Sequence, residues 1–277
     1  MERVDAFAEL KKNKTAMVGL ILIMLLLILA VIGPWISPHN PLTPDPINRL
    51  KGSSWTHPFG TDSLGRDILS RVIYGSRISI IIGLIAVSIS LVPGVLLGLL
   101  SGFYGRRVDE PIMRLMDIML AFPAILLAIF ITAILGPSLL NTMIAVGIVY
   151  IPHYARIVRS SALSLKEQLF VQAVRSLGGS NLRIIALHIF PNTIPPIIVY
   201  ATLGMGTAVL QAAALGFLGL GAQPPTPEWG AMLSEGRQYI QNAPHVAAFP
   251  GLAIFTLVLG FNLFGDGLRD VLDPSLR

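Results

Sequence analysis

The sequence predicts an all-α polytopic membrane protein with six transmembrane helices. Three observations carry that expectation. Hydrophobic residues make up 53% of the 277-residue chain and charged residues only 13%, with a mean hydropathy of +0.72. A soluble domain carries about 25% charged residues, so this surface has too few charges to face water all round. The charges are also bunched: uncharged runs cover 15–44, 78–105, 118–155, 184–227 and 238–265, each longer than the ~20 residues that cross a bilayer core. Finally, the runs are continuously apolar instead of alternating, which excludes a barrel of ~10-residue strands.

The first span, 16–36, follows Lys11, Lys12 and Lys14. Its apolar stretch exceeds the ~7–15 residues of a signal-peptide core and no small-x-small site follows, so it is read as a retained anchor. Pro38, Pro41, Pro44 and Pro46 should keep 37–48 extended. In 62–77, Leu64, Ile68, Leu69, Val72 and Ile73 share one helical face, and Arg66, Asp67, Ser70 and Arg71 the other. That is the pattern of a short amphipathic helix on the membrane surface.

The second span, 78–100, leads into Gly94, Gly98 and Gly102, small residues at every fourth position. Such a seam permits close helix packing and is expected to serve a partner subunit. A short charged turn over 101–113 should follow. The run 118–155 is almost two spans long and divides at Gly136-Pro137-Ser138, which gives spans 114–135 and 139–159. Asp117 lies within reach of Arg114 as an interface-level ion pair. His153 has no second His at i+3 or i+4 and is read as a packed, hydrogen-bonded histidine.

Residues 160–192 read as a helical hairpin. A helix over 170–177 should end at Gly178-Gly179, and a second over 181–190, capped by Ser180, should be stopped by Pro191. Its polar residues are Gln172, Arg175, Arg183 and His188. A protruding hairpin of this kind suits docking to a partner protein as well as it suits an ordinary interfacial loop. Spans 193–214 and 246–265 complete the six.

With an even number of spans both termini share a side. That side holds fourteen of the 20 Lys and Arg, against six opposite, which places both termini in the cytoplasm. The net charge of +5 is too dispersed for a nucleic-acid patch. No Cys is present, so disulfides, thiolate catalysis and Cys-ligated metals are excluded. There is no phosphate-binding G-x-x-x-x-G-K-[ST] and no H-E-x-x-H; Gly204 and Gly206, with Val209 where a third glycine belongs, are not a dinucleotide fingerprint.

Several segments carry a resemblance. Gln172-Ala173-Val174-x-x-x-Gly178, then nine residues, then His188-Ile189-Phe190-Pro191 resembles the E-A-A-x3-G-x9-I-x-L-P loop of bacterial ABC-importer permeases, departing at Gln172, Val174, His188 and Phe190. Phe59-Gly60-Thr61-Asp62-Ser63-Leu64-Gly65-Arg66-Asp67 resembles the G-T-D-x-x-G-R-D signature of the dipeptide/oligopeptide/nickel permeases. So do Tyr154-Ala155-Arg156-x-x-Arg159, Phe217-Leu218-Gly219-Leu220-Gly221, Pro224-Pro225-Thr226-Pro227-Glu228-Trp229-Gly230 and the ending around Asp266, Arg269, Asp270, Asp273 and Pro274. The short N-terminal tail and the long loop after the first span are similar to those of the C-type member of a permease pair.

The resemblance implies a type I ABC importer permease fold. It implies an N-terminal part, 1–77, and a core permease domain, 78–277, with the coupling loop at about 160–192. It implies a homologous B-type permease partner, two ATP-binding subunits below and an extracytoplasmic substrate-binding protein above, in the plasma membrane of a bacterium or archaeon. No catalytic, cofactor or metal residue is implied in this chain, since ATP and Mg²⁺ belong to the ATPase subunits. Gln172, Ala173, Gly178, His188 and Pro191 take the coupling role. Short peptides are the expected substrate, with nickel or a metal chelate as the alternative. An ion-coupled secondary carrier would need buried ionisable residues and internal repeats, and a membrane-embedded enzyme an acid, base or metal set at membrane depth; the sequence displays neither.

Overall fold

The computed structural model describes residues 6–272, with side chains from residue 9. Arg3 and Arg277 of the charge count, and Asp273-Pro274 of the C-terminal motif, lie outside the described residues. Helices α1 (Ala6–Lys12) and α2 (Lys14–Ile36) are separated by Asn13, whose side chain accepts the Ala16 N–H at 3.1 Å and caps α2. Val18, Ile21, Leu25, Ile28 and Val31 project outward, so α2 is apolar all round, as a helix facing lipid must be.

The long helix α3 (Ile68–Tyr104) is capped by Asp67, which accepts the Ser70 N–H at 2.8 Å. It absorbs the surface helix expected at 62–77 and runs through the 77/78 boundary. Its expected polar face does not meet water: Arg66, Asp67, Ser70 and Arg71 are buried together with Ile68 and Ile73 of the apolar face, and of the singled-out residues only Leu64 is exposed. The loop 37–67 folds back over the start of α3, so the polar side of the wheel meets protein instead of water. That loop is irregular apart from a 3-10 turn at Pro46–Asn48 and an isolated antiparallel bridge between Thr61 and Asp67.

The turn expected over 101–113 reduces to Gly105. Helix α4 (Arg106–Leu120) begins directly after it. The third expected span is broken: α5 (Ala124–Leu135) departs from α4 at 91°. Pro123 is the cause, because it lacks an N–H and disfavours helical geometry at Phe122. The Gly136-Pro137-Ser138 turn is found where expected, with Ser138 capping α6 (Leu139–Lys166) through the Asn141 N–H. Asp117 pairs with Arg156 of α6 at 2.5 Å, not with Arg114.

Past the hairpin, α8 (Asn181–Ile184), a π-helical segment (Ile185–Ile189) and α9 (Phe190–Phe217) run on as one rod. Pro191 therefore does not stop a helix. The Phe190 N–H bonds to Ile185 O, and this wider i→i+5 turn takes up the missing proline donor. The segment 215–245 contains α10 (Trp229–Gly236), and α11 (His245–Leu272) closes the fold.

Among the described residues four helical stretches are long and apolar enough to cross a membrane: Lys14–Ile36, Ile68–Tyr104, Asn181–Phe217 and His245–Leu272. A fifth counts if the bent α4–α5 pair is one span. The expected six is corrected accordingly, since polar Asn141, His153 and Arg156 dilute α6 and Pro123 interrupts the third.

Helix α3 packs along α6, and α11 lies between α2 and α9. The glycine seam is spent inside the chain. A Cβ on Gly98 would stand 2.6 Å from Ala155 O, and one on Gly102 would stand 2.7 Å from Ala162 Cβ, so α3 and α6 approach at the small residues.

Candidate functional site

The hairpin joining α6 to α9 is built on a buried hinge. Helix α7 (Leu169–Ser176) ends in a double turn: the Gly178 N–H bonds to Arg175 O and the Gly179 N–H to Val174 O, each at 3.0 Å. That pairing requires a left-handed residue, and Gly178 has φ +81°. Ser180 then caps α8 through the Arg183 N–H. Val171 and Ile184, one from each arm, are fully buried among Leu99, Phe103, Val158 and Ala162. The Arg175 guanidinium stacks 5.6 Å above the Phe103 ring. Both arms are therefore fixed to the ends of α3 and α6 by apolar contact.

The outward side of the same hairpin is uncovered. Leu169 is 81% exposed, Leu177 87% and Leu182 75%. Exposed leucines on a support packed into the bundle suit contact with lipid or with another protein. Gln172, Ala173 and Gly178 are exposed on the first arm, and Gln172 Nε2 donates to Glu167 O at 3.0 Å. On the second arm Pro191 is exposed, and His188 is half-buried with its carbonyl accepting from Asn192 Nδ2 at 2.7 Å. Ser101 and Arg159 converge on Asp109, with Arg159 Nη2 2.6 Å from Oδ2, and brace α4 against α3 and α6 above this surface. The leucines were not singled out by the motif, which records only its polar and small positions.

At the opposite end the motif 59–67 forms a closed ionic core. Asp62 Oδ1 accepts the Leu64 and Arg66 N–H groups at 2.8 and 2.9 Å, and its Oδ2 accepts from Arg66 Nε at 2.6 Å. Arg66 Nη2 reaches Glu235 of α10 at 2.7 Å. Arg71 stands 3.6 Å from both carboxylates and donates to Pro41 O at 3.2 Å. Trp229, fully buried, donates to Val72 O at 3.1 Å. Glu228 caps α10 through the Gly230 and Ala231 N–H groups, both at 2.8 Å. Burial pushes the Glu228 carboxyl above the usual carboxylate range, and those two donors offset part of the rise. Sequence reasoning missed this core, although the four-residue Asp62–Arg66 spacing and Glu228 beside Trp229 were its signals.

Midway along the bundle, a cavity of about 80 Å³ is lined by Ser90, Tyr150, Tyr154, Tyr200, Gly204 and Thr207 among others. His153 packs between the Tyr150 and Tyr200 rings. The Tyr154 hydroxyl is buried without a hydrogen-bond partner. Gly204 lies beside that hydroxyl and Gly206 faces α11, so the two are packing positions.

Comparison with known proteins places this geometry. Residues 94–277 match the family described as binding-protein-dependent transport system inner membrane component, and residues 3–52 match the N-terminal TM domain of oligopeptide transport permease C. A dipeptide transport system permease protein of Alkalihalophilus pseudofirmus is 55% identical, over 99% of this chain and 90% of its own length. A glutathione transport system permease protein of Escherichia coli O6:K15:H31 is 50% identical, over 99% of this chain and 90% of its own. A chain of the inward-facing MetNI methionine ABC transporter superposes with a TM-score of 0.59 at 19% identity, covering 74% of this chain and 97% of the other, which establishes the shared importer fold. With a family match over about two thirds of its length and about half its residues shared with relatives matched over 90% of their own length, this chain belongs to the binding-protein-dependent transport system inner membrane components, a multi-pass membrane permease family.

Proposed function

We propose that this chain is one of two permease subunits of an ATP-driven importer of short peptides, with both termini in the cytoplasm. The observation that carries the reading is the hairpin: a buried, glycine-closed hinge on α3 and α6 presenting uncovered leucines to one side. The whole-length relatives, one for dipeptides and one for the tripeptide glutathione, support the substrate class. The partners are a homologous permease, two ATP-binding subunits under the hairpin and an extracytoplasmic binding protein on the other face.

In this reading the chain catalyses no bond chemistry, and ATP and Mg²⁺ stay on the ATPase subunits. Closure of the ATPases moves the hairpin, with Gln172, Ala173 and Gly178 on its first arm and His188 and Pro191 on its second. A packed core transmits such a displacement because it is bistable and not continuously soft. Helices α3, α6 and α9 then shift against the partner permease and open the path.

The test is reconstitution of the chain with these four partners in proteoliposomes. ATP-dependent uptake of a labelled dipeptide, lost when this chain is left out, is the expected result. ATP-independent flux through the chain alone would make it a carrier or channel, and uptake of Ni²⁺ in place of peptides would overturn the substrate class.

A further inference from the structure

The extracytoplasmic fold brings together three side chains beside the ionic core, none of them an ion-pair partner of Arg66 or Arg71. His39 comes from the extended segment after α2, His57 from the middle of the loop, and Asp67 from the start of α3. His57 Nδ1 stands 2.9 Å from Asp67 Oδ1, and His39 Nδ1 stands 3.9 Å from Asp67 Oδ2, beyond hydrogen-bond reach. The two imidazole rings lie 4.6 Å apart between centroids. One potential ligand atom from each residue falls within 4.8 Å of both others.

We propose that His39, His57 and Asp67 form a Zn²⁺ site that pins the loop 37–67 to the first turn of α3. Tetrahedral Zn²⁺ with nitrogen and oxygen ligands at about 2.0–2.2 Å sets its ligand atoms roughly 3.3 Å apart; His57 lies 2.9 Å from one Asp67 carboxylate oxygen and His39 3.9 Å from the other, so small side-chain adjustments bring all three to that spacing. Two imidazoles and a carboxylate are ligands this ion accepts, and the absence of Cys leaves no thiolate in the chain to compete. The carboxylate is already oriented: Asp67 is fully buried, and its Oδ2 accepts from the Ser70 N–H at 2.8 Å and from Ser70 Oγ at 2.6 Å. The same Ser70 Oγ accepts the His39 backbone N–H at 3.1 Å, so one hydroxyl positions two of the ligands, as outer-shell groups do around metals. His57 is nearly buried, whereas His39 is 41% exposed. A cleft of about 530 Å³ lined by Ser37, Pro38, Tyr74 and Arg77 opens on His39, giving the ion an entry and leaving its fourth position to water. In the loaded site the ion takes the place of the hydrogen bond between His57 Nδ1 and Asp67 Oδ1. The local Arg66 and Arg71 charges do not oppose the ion unbalanced, since Asp62 and Glu235 face them.

The experiment uses the detergent-purified full chain, stripped with a chelator, and Zn²⁺ alone as probe. Titration against a fluorescent zinc chelator should give one ion bound per chain, and Zn²⁺ should raise the thermal midpoint. His39→Ala, at the exposed position, should unfold at the metal-free wild-type temperature, lose the Zn²⁺-dependent rise, and bind Zn²⁺ at least about tenfold more weakly. Zinc X-ray absorption of the loaded wild type should show two imidazoles and only nitrogen or oxygen neighbours. Wild-type chain that fails to compete with the chelator would overturn the site. So would His39→Ala binding Zn²⁺ as tightly as wild type, or absorption spectra without imidazole.

Discussion

Arg66 and Glu235, 169 residues apart in sequence, meet at 2.7 Å in a site from which the arginine is almost wholly excluded from water. The contact ties the segment before α3 to α10, and so sets the loop 37–67 against the segment 215–245. Its other neighbour, Asp62, is buried as well. Removing the cation alone leaves two carboxylates with only Arg71, 3.6 Å from each, to answer them. Arg66→Met should therefore lower stability by about 3 kcal/mol, because an uncompensated buried charge costs more than the pair contributes. Thermal unfolding of the purified chain checks this; a midpoint equal to wild type would show that the network is not structural.

Inside the bundle, a Cβ on Gly204 would stand 2.7 Å from the Tyr154 hydroxyl, which has no hydrogen-bond partner. Gly204→Ala should destabilise by about 1–3 kcal/mol through overpacking. Tyr154→Phe should be neutral or slightly stabilising, because it removes an unsatisfied hydroxyl. The double variant should recover most of the loss. Additive effects in the double-mutant cycle would place the alanine clash elsewhere.

Orientation is accessible because the chain has no native Cys. Ser53 and Ser180 are both exposed, at opposite ends of the fold. Ser53→Cys should react with an impermeant thiol reagent on intact cells, and Ser180→Cys only after the cytoplasmic face is opened, following the fourteen-to-six distribution of Lys and Arg. Labelling of Ser180→Cys in intact cells would reverse the topology and remove the hairpin from the ATPase side.

The four long apolar spans and the glycine-closed end of the first hairpin arm were legible because their determinants are local. Long apolar runs need no partner to be recognised, and a glycine pair after eight helix-forming residues specifies its own left-handed cap. The ionic core was illegible for the complementary reason. Arg66, Asp67, Ser70 and Arg71 give the same helical wheel whether their polar side meets water or a folded loop, and only the path of 37–67 decides. Pro123 and Pro191 show the limit from another side. A proline reads as a break, yet at 123 it bends a chain that hydropathy alone calls one span, and at 191 a π-helical turn absorbs it and the rod continues. The seam of Gly94, Gly98 and Gly102 was recognisable as a seam, but nothing in its spacing says that its mate is α6 of the same chain.

Leu177 and Leu182 are uncovered side chains on a rigid support, so their replacement should separate docking from folding. The double change to Ser should leave the thermal midpoint of the chain near wild type and reduce co-purification of the ATPase subunits at least several-fold. Full co-purification would show that the leucines face lipid or solvent and not a partner.

Coupling through the hairpin is tested most directly at Gly178. At φ +81° with no atom within 4 Å of an added Cβ, its substitution strains the backbone without disturbing any neighbour. Gly178→Val should cost about 1–2 kcal/mol locally and re-aim the first arm, while the membrane helices still insert. In proteoliposomes holding the whole importer, the measurement is peptide uptake alongside peptide-stimulated ATP hydrolysis. The expected result is loss of uptake, with the complex either failing to assemble or hydrolysing ATP without moving peptide. Near-normal uptake together with normal stimulated hydrolysis would contradict a coupling role for this loop.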